Sequence, residues 1–337
     1  MHEARQYAKC EDAAVKCSLC NHRCRIASGN HGICGVRENV GGTLYASTYG
    51  KVSAEAVDPI EKKPLFHYLP GTLSYSLGGI GCNFHCRHCQ NWHISRAKLT
   101  GARLIPLAPE EGVARAIGRG CASISWTYNE PTIWHEYTLD MGTGARAAGL
   151  GTVYVTNGYI TEEALRELAP MLGAFRVDLK AFSEDFYKNI CGAHLQPVLD
   201  SAALARELGM HVETVTLVIP GLNDGMEEMD ALIRWVIEHL GQATPMHFSR
   251  FHPDYQMTDR GVTPVATLEK IYTRAKDLGL RFPYLGNVYN HPYEHTYCPV
   301  CGAVLVERQG FTSRFRELDG QQCAKCGERI EMVRHVA

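Results

Sequence analysis

The sequence has no apolar run long enough to span a bilayer. Its opening stretch, MHEARQYAKCEDAAVKC, lacks the apolar centre of a secretory signal. Membrane insertion and export are therefore not expected, and a reducing, cytoplasmic setting is. Neither sign of charge dominates: 34 Lys and Arg stand against 36 Asp and Glu, a formal net charge of −2. Bulk electrostatics thus gives no case for nucleic acid or an anionic membrane surface. No repeat of fixed period and no low-complexity tract is visible, which sets aside solenoids and disordered arrays.

What is present is a chain of 337 residues with 45% hydrophobic and 21% charged side chains, enough to bury a large core and carry small appendages. It holds 14 cysteines, far fewer than a disulfide scaffold of this length needs. In a reducing compartment, clustered cysteines are usually metal ligands. These fall in three groups: Cys17, Cys20, Cys24 and Cys34; Cys82, Cys86 and Cys89; Cys298, Cys301, Cys323 and Cys326. Cys10, Cys121 and Cys191 stand alone and read as small buried hydrophobes.

Between the flanking groups, strand-like and helix-like segments alternate. Leu73–Leu77, Ala122–Trp126, Gly151–Thr156, Phe175–Lys180, Val212–Ile219, Met246–Arg250 and Arg281–Leu285 read as strands. Helical patterns separate them at Pro109–Arg119, Ile133–Ala148, Thr161–Leu172, Ser201–Leu208, Met226–Leu240 and Leu268–Leu278. Thr161 followed by two glutamates is an N-cap with acids in the first turn. Such alternation predicts βαβ units and a parallel sheet: an α/β chain whose core is a complete or partial barrel. An open doubly wound sheet shares this periodicity. Residues 1–50 form a Cys-rich module, 51–290 the barrel, and 291–337 a second small module resembling a zinc ribbon.

Gly81-Cys82-Asn83-Phe84-His85-Cys86-Arg87-His88-Cys89 follows the first predicted strand. Three thiolates on one tight loop suit three irons of a cubane cluster, leaving the fourth open for chemistry. The spacing also suits zinc, with His85, His88 or His93 as fourth ligand. A position at the end of a barrel strand, where barrel active sites lie, favours the cluster.

The CxxxCxxC spacing resembles the signature of the radical S-adenosylmethionine (radical SAM) superfamily. The middle of the chain is similar to pyruvate formate-lyase activating enzymes, and the whole chain resembles the AmmeMemoRadiSam-system radical SAM proteins. The segments that carry the likeness are DPIEKKP (58–64), GCNFHCRHCQNW (81–92), TYNEPT (127–132), VTNGY (155–159), VDLKAF (177–182), VIPGLND (218–224), SRFHPDY (249–255) and LGN (285–287). The resemblance implies a partial (β/α)6-type barrel of the radical SAM kind. It also implies a 4Fe-4S cluster on Cys82, Cys86 and Cys89, whose open iron is chelated by the amino and carboxylate groups of SAM. Reductive cleavage would give methionine and a 5′-deoxyadenosyl radical that abstracts hydrogen from a substrate the sequence does not identify.

Cofactor contacts follow by the same likeness. Asn129 and Glu130 occupy the place of a Gly-Gly-Glu segment that meets the SAM ammonium. Thr156 and Asn157 belong to the matching VTNGY turn. Lys180 and His252 resemble groups that reach the SAM carboxylate, and Gly221 belongs to a loop lining the adenosine. His88 stands where an aromatic ring usually lies near the adenine. Asn129 replaces a glycine. Val155 stands where related activases carry an aspartate for a monovalent cation, while Asp178 is retained.

Cys298, Cys301, Cys323 and Cys326 form two CxxC knuckles, each followed by glycine, with VLVERQGF suited to a hairpin between them. The pairing favours structural zinc over an auxiliary iron–sulfur cluster. The N-terminal four match neither a zinc ribbon nor a ferredoxin run, so zinc and an electron-relaying 4Fe-4S cluster both stay open, with His22 and His31 as competing ligands. The family implies an electron donor such as flavodoxin or ferredoxin, and Memo-like and AMMECR-like partners. Activation of a glycyl-radical enzyme is one subtype of this chemistry. A zinc-ribbon protein binding macromolecules on a barrel scaffold is an alternative.

Overall fold

The computed structural model describes residues 1–289 and 291–336. Positions 290 and 337, which close the two later modules expected from sequence, lie outside the described residues. Seven parallel strands form the main sheet: β1 (Leu73–Gly78), β2 (Ser123–Trp126), β3 (Gly151–Thr156), β4 (Ala174–Asp178), β5 (His211–Val218), β6 (Met246–Arg250) and β7 (Pro283–Gly286). Nearly every strand residue is buried, as a parallel sheet covered by helices requires. Helices α1 (Pro109–Gly118), α2 (His135–Ala147), α3 (Glu162–Leu168), α4 (Leu195–Glu207), α5 (Met226–His239) and α6 (Val265–Asp277) fill the six crossovers.

Spatial order follows chain order without reversal, so each crossover steps to the next strand. A doubly wound sheet would reverse. The result is a partial barrel with its edges at β7 and at an antiparallel strand, Ala54–Pro59, that pairs with β1. That edge strand has no clean alternation and was not expected. Small residues sit where β1 meets β2: Ser74 and Ser125 are fully buried and their hydroxyls meet at 2.6 Å.

The barrel floor, at the strand N-termini, is closed by the segment 65–72. The Glu213 carboxylate is fully buried there and accepts from the backbone of Phe66 and His67 and from His211 and His247. The C-terminal module joins the same end. Its strands Thr296–Tyr297, Val304–Gln309 and Thr312–Phe315 pair antiparallel, the last two as the expected hairpin, and Leu305 packs with Phe66 and Tyr284. The N-terminal segment lies at the opposite end. Its backbone pairs with the turn after β3 through Asn21 N to Tyr159 O at 3.0 Å and Thr161 N to Leu19 O at 3.2 Å. Among the described residues, no helix is long and apolar enough to cross a membrane.

Candidate active site

Where β1 ends, the chain turns through Gly79, Gly81 and the cysteine loop. Asn129 pins this turn: its Oδ1 accepts from Gly79 N at 2.9 Å and its Nδ2 donates to Gly81 O at 3.0 Å. The side chain that replaces a glycine thus holds the loop from the end of β2. Its neighbour Tyr128 sits at φ +71°, a left-handed conformation costly for a tyrosine, and is tied to Asp58 by its hydroxyl at 2.7 Å. On the other side, a single π-helical turn, Tyr187–Cys191, braces the loop. His85 N donates to Cys191 O at 2.7 Å and Arg87 N to Ile190 O at 3.0 Å. Arg96 closes the loop from behind by donating to the carbonyls of Phe84 and Cys82.

Cys82, Cys86 and Cys89 are each partly buried. Among the described residues, the only group of three or more His, Cys, Asp or Glu donors whose ligand atoms all lie within 4.8 Å of one another is Cys298, Cys301, Cys323 and Cys326. The three loop thiols are therefore spread wider than the ligands of one ion. Cys191, fully buried as the sequence suggests, is not inert: its thiol lies beside Cys86 and holds the Cys86 thiol below its ordinary value against the upward push of burial. Cys121 is buried too, whereas Cys10, expected inside, is only half-buried.

A polar ring surrounds the loop at the strand C-termini. Glu130 is buried and accepts from Thr132 N at 2.9 Å, Thr156 Oγ1 at 2.6 Å and Asn157 N at 2.8 Å. Three of the four or so acceptor positions of its carboxylate are thereby taken within the protein. Asn157 carries the ring to the cysteines, its Nδ2 donating to Asn83 Oδ1 at 2.8 Å and reaching the Cys82 sulfur at 3.8 Å. Lys180 Nζ lies 3.0 Å from Asp178, whose other oxygen is bound by Arg176. Burial works against the Lys180 charge, but Asp178 outweighs it and holds the ammonium well above the usual lysine range. With both Arg176 and Lys180 on it, the Asp178 carboxylate is already paired by cations of its own chain.

His88 is buried, its ring 6.0 Å from that of Phe186, and its Nδ1 has no hydrogen-bond partner. Burial pushes this imidazole down to about 3. His252 lies at the exposed rim, 3.0 Å from Gln90. Gly221, at φ +72°, lies further round the rim, its N–H taken by Asp224 at 2.8 Å. Glu130, Thr156, Asn157 and Cys82 are thus joined directly, Asp178 and Lys180 form a second pair, and His252 and Gly221 stand apart from both. Sequence reasoning passed over Asn83, Arg96, Arg176 and Asn223. Asn223 donates to Lys180 O at 2.7 Å and fixes the end of β4 from the β5 loop. Its place in VIPGLND was the available signal.

In the C-terminal module the sulfurs of Cys298 and Cys326 are 3.5 Å apart, and those of Cys301 and Cys323 3.6 Å. The glycine after each knuckle turns the chain back: Gly302 N donates to Cys298 O at 2.9 Å and Gly327 N to Cys323 O at 2.8 Å, at φ +72° and +76°. This group can hold a metal ion. The N-terminal four cysteines gather instead around one pocket.

The family model described as the Radical SAM superfamily matches residues 77–236. An uncharacterised protein of Methanocaldococcus jannaschii is 46% identical over 335 residues, covering 99% of this chain and 100% of that protein. The isethionate sulfite-lyase activating enzyme of Desulfovibrio desulfuricans is 24% identical over 120 residues, 35% of this chain and 38% of that enzyme. SuiB of Streptococcus suis, solved with its precursor peptide SuiA, aligns with TM-score 0.51 at 13% identity over 68% of this chain and 52% of SuiB, a likeness of fold alone.

Proposed function

Since this chain belongs to the radical SAM superfamily, and is thereby an enzyme, we propose that Cys82, Cys86 and Cys89 hold a 4Fe-4S cluster with one iron free and that the polar ring beside it binds S-adenosylmethionine. The observation that carries this reading is the spread of the three thiols on a braced loop, too wide for them to ligate one ion together. The unpartnered, buried Nδ1 of His88 fits as well, since a bound adenine offers it the partner that the protein does not.

When bound, the reduced cluster supplies the electron that cleaves the sulfonium and releases a carbon radical for hydrogen abstraction. The protein's part is positioning. Lys180, kept charged by Asp178, offers an ammonium to the SAM carboxylate, and His252 reaches it from the rim. Glu130 holds Thr156 and Asn157 in place and keeps one acceptor position for the SAM ammonium. Asn157 orients Cys82 through its contact with that sulfur, and Gly221 leaves room for adenosine. A flavodoxin or ferredoxin delivers the electron in a cytoplasmic setting, and Memo-like or AMMECR-like partners belong to this reading by family resemblance. The partial likeness to an isethionate sulfite-lyase activating enzyme supports a second reading, in which this chain is a glycyl-radical activase and its substrate a protein.

For the C-terminal four cysteines zinc is the ion that fits. Tetrahedral zinc at about 2.3 Å from each sulfur sets the sulfurs roughly 3.8 Å apart, close to the spacing of 3.5 and 3.6 Å. The test of the whole reading is anaerobic reconstitution followed by dithionite and SAM. Methionine and 5′-deoxyadenosine are expected in equal amounts. Neither product, with the iron chromophore intact, would overturn it.

A further inference from the structure

Four more thiols lie outside the proposed catalytic centre. Cys17, Cys20, Cys24 and Cys34 line a single pocket with Arg37 and Asn83. Cys17 ends a short strand, Val15–Cys17, and Cys20, Cys24 and Cys34 follow in the loops after it, so the four converge without meeting. Unlike the C-terminal four, their sulfurs do not all lie within 4.8 Å of one another. One tetrahedral ion would draw four sulfurs to about 3.8 Å. A sulfide-bridged cluster spreads its thiolates over separate irons and keeps them apart.

The walls suit such a group. A Cβ on Gly32 would stand 3.3 Å from Ile26 and 3.8 Å from both the Cys24 and Cys34 sulfurs, so glycine leaves the space free. Asn83 is fully buried, and its Nδ2 finds no acceptor in the protein. It faces the pocket, where a cluster sulfur would accept from it. Arg37 supplies a buried positive charge beside four thiolates, steadied by Glu136 at 2.6 Å. Ile26, Ile33 and Ile133 add apolar wall, and His22 also lines the pocket.

The pocket also abuts the catalytic loop. Asn83 is covalently next to Cys82, and His22 Nε2 lies 2.7 Å from the Asn83 carbonyl. The Cys34 carbonyl presses on Gly81 so closely that no side chain fits there. We propose that Cys17, Cys20, Cys24 and Cys34 hold a second iron–sulfur cluster, placed to take one electron from a small carrier of the ferredoxin or flavodoxin class and pass it to the catalytic loop. Only electrons move in this step, and no bond is made or broken. The delivery role rests on the proposed function, whereas the site itself does not.

The test uses the full chain, reconstituted anaerobically with iron and sulfide. The triple variant Cys82→Ala/Cys86→Ala/Cys89→Ala should keep two to four irons, with a chromophore that bleaches when reduced ferredoxin is added. The converse variant, Cys17→Ser/Cys34→Ser, should lose that same iron and keep the iron of the catalytic loop. Zinc or no metal at the N-terminal site in the triple variant, or no difference in iron between wild type and Cys17→Ser/Cys34→Ser, overturns the inference. A chromophore that ferredoxin leaves unchanged overturns the delivery role. If all iron leaves with the triple variant while wild type still forms 5′-deoxyadenosine, the inference fails and the proposed function stands. If iron stays in the triple variant but wild type forms no 5′-deoxyadenosine, the reverse holds.

Discussion

Replacing Glu136 with alanine should destabilise the protein by about 3–5 kcal/mol, the usual result of breaking a buried ion pair from one side. Both side chains of the Arg37–Glu136 pair are 1% exposed. The two parallel bonds measure 2.9 and 2.6 Å, and Arg5 N adds a third donor to the same carboxylate at 2.8 Å. Without Glu136, the guanidinium keeps only the Ile133 carbonyl, at 3.3 Å, as a hydrogen-bond partner and stays buried without its carboxylate. At this chain length the loss corresponds to a fall in melting temperature on the order of 5–10 °C. The pair Arg37→Met/Glu136→Leu removes both charges and should recover most of that stability. Acidity supplies a second arm. Burial raises the Glu136 carboxyl, but the Arg37 charge and hydrogen bonds outweigh it and hold it at about 2, against an ordinary 4.5. The stabilisation is therefore complete above pH 4.5 and lost as pH falls toward about 2. Glu136→Ala should lack that part of the acid response. Thermal unfolding by circular dichroism at matched metal content reads all of this. A single variant within about 1 kcal/mol of wild type, or a double variant no better than the single, would refute the reasoning.

Three further outcomes are expected. Lys180→Met removes a charged hydrogen bond to the cofactor and should weaken SAM binding about 10- to 100-fold by calorimetry; unchanged affinity would remove Lys180 from the site. Asn157→Ala strips an outer partner from Cys82 and should lower iron retention about 10- to 100-fold against a chelator; equal retention would show that the contact is incidental. Cys301→Ser/Cys326→Ser should release one metal ion per chain and lower the melting temperature while leaving iron content as it was; an unchanged zinc count would contradict the C-terminal assignment.

The parallel strands were legible because β-branched residues dominate them, as in VETVTLVI and GTVYVT, even though the first carries the buried Glu213. Thr161 read as a cap and is one, its hydroxyl accepting from Ala164 N at 3.4 Å. The edge strand Ala54–Pro59 was not legible, because AEAVDP carries an acid and a proline and shows no alternation. Helix α4 starts at Leu195 rather than Ser201, because Pro197 falls in its first turn, where proline is tolerated. Cysteine spacing identified three thiol groups but not their spread, which decides between one ion and a cluster and depends on packing across the chain. Cys191 looked like filler because only the π-helical turn brings its thiol to Cys86.

The central claim is that three cysteines leave one iron of a cubane open to SAM. Electron–nuclear double resonance on the reduced enzyme with isotopically labelled SAM tests it most directly. Hyperfine coupling from the labelled amino nitrogen and carboxylate oxygen to the cluster is the expected result. A cluster already closed by a fourth protein ligand, with no coupling to either label, would contradict the account.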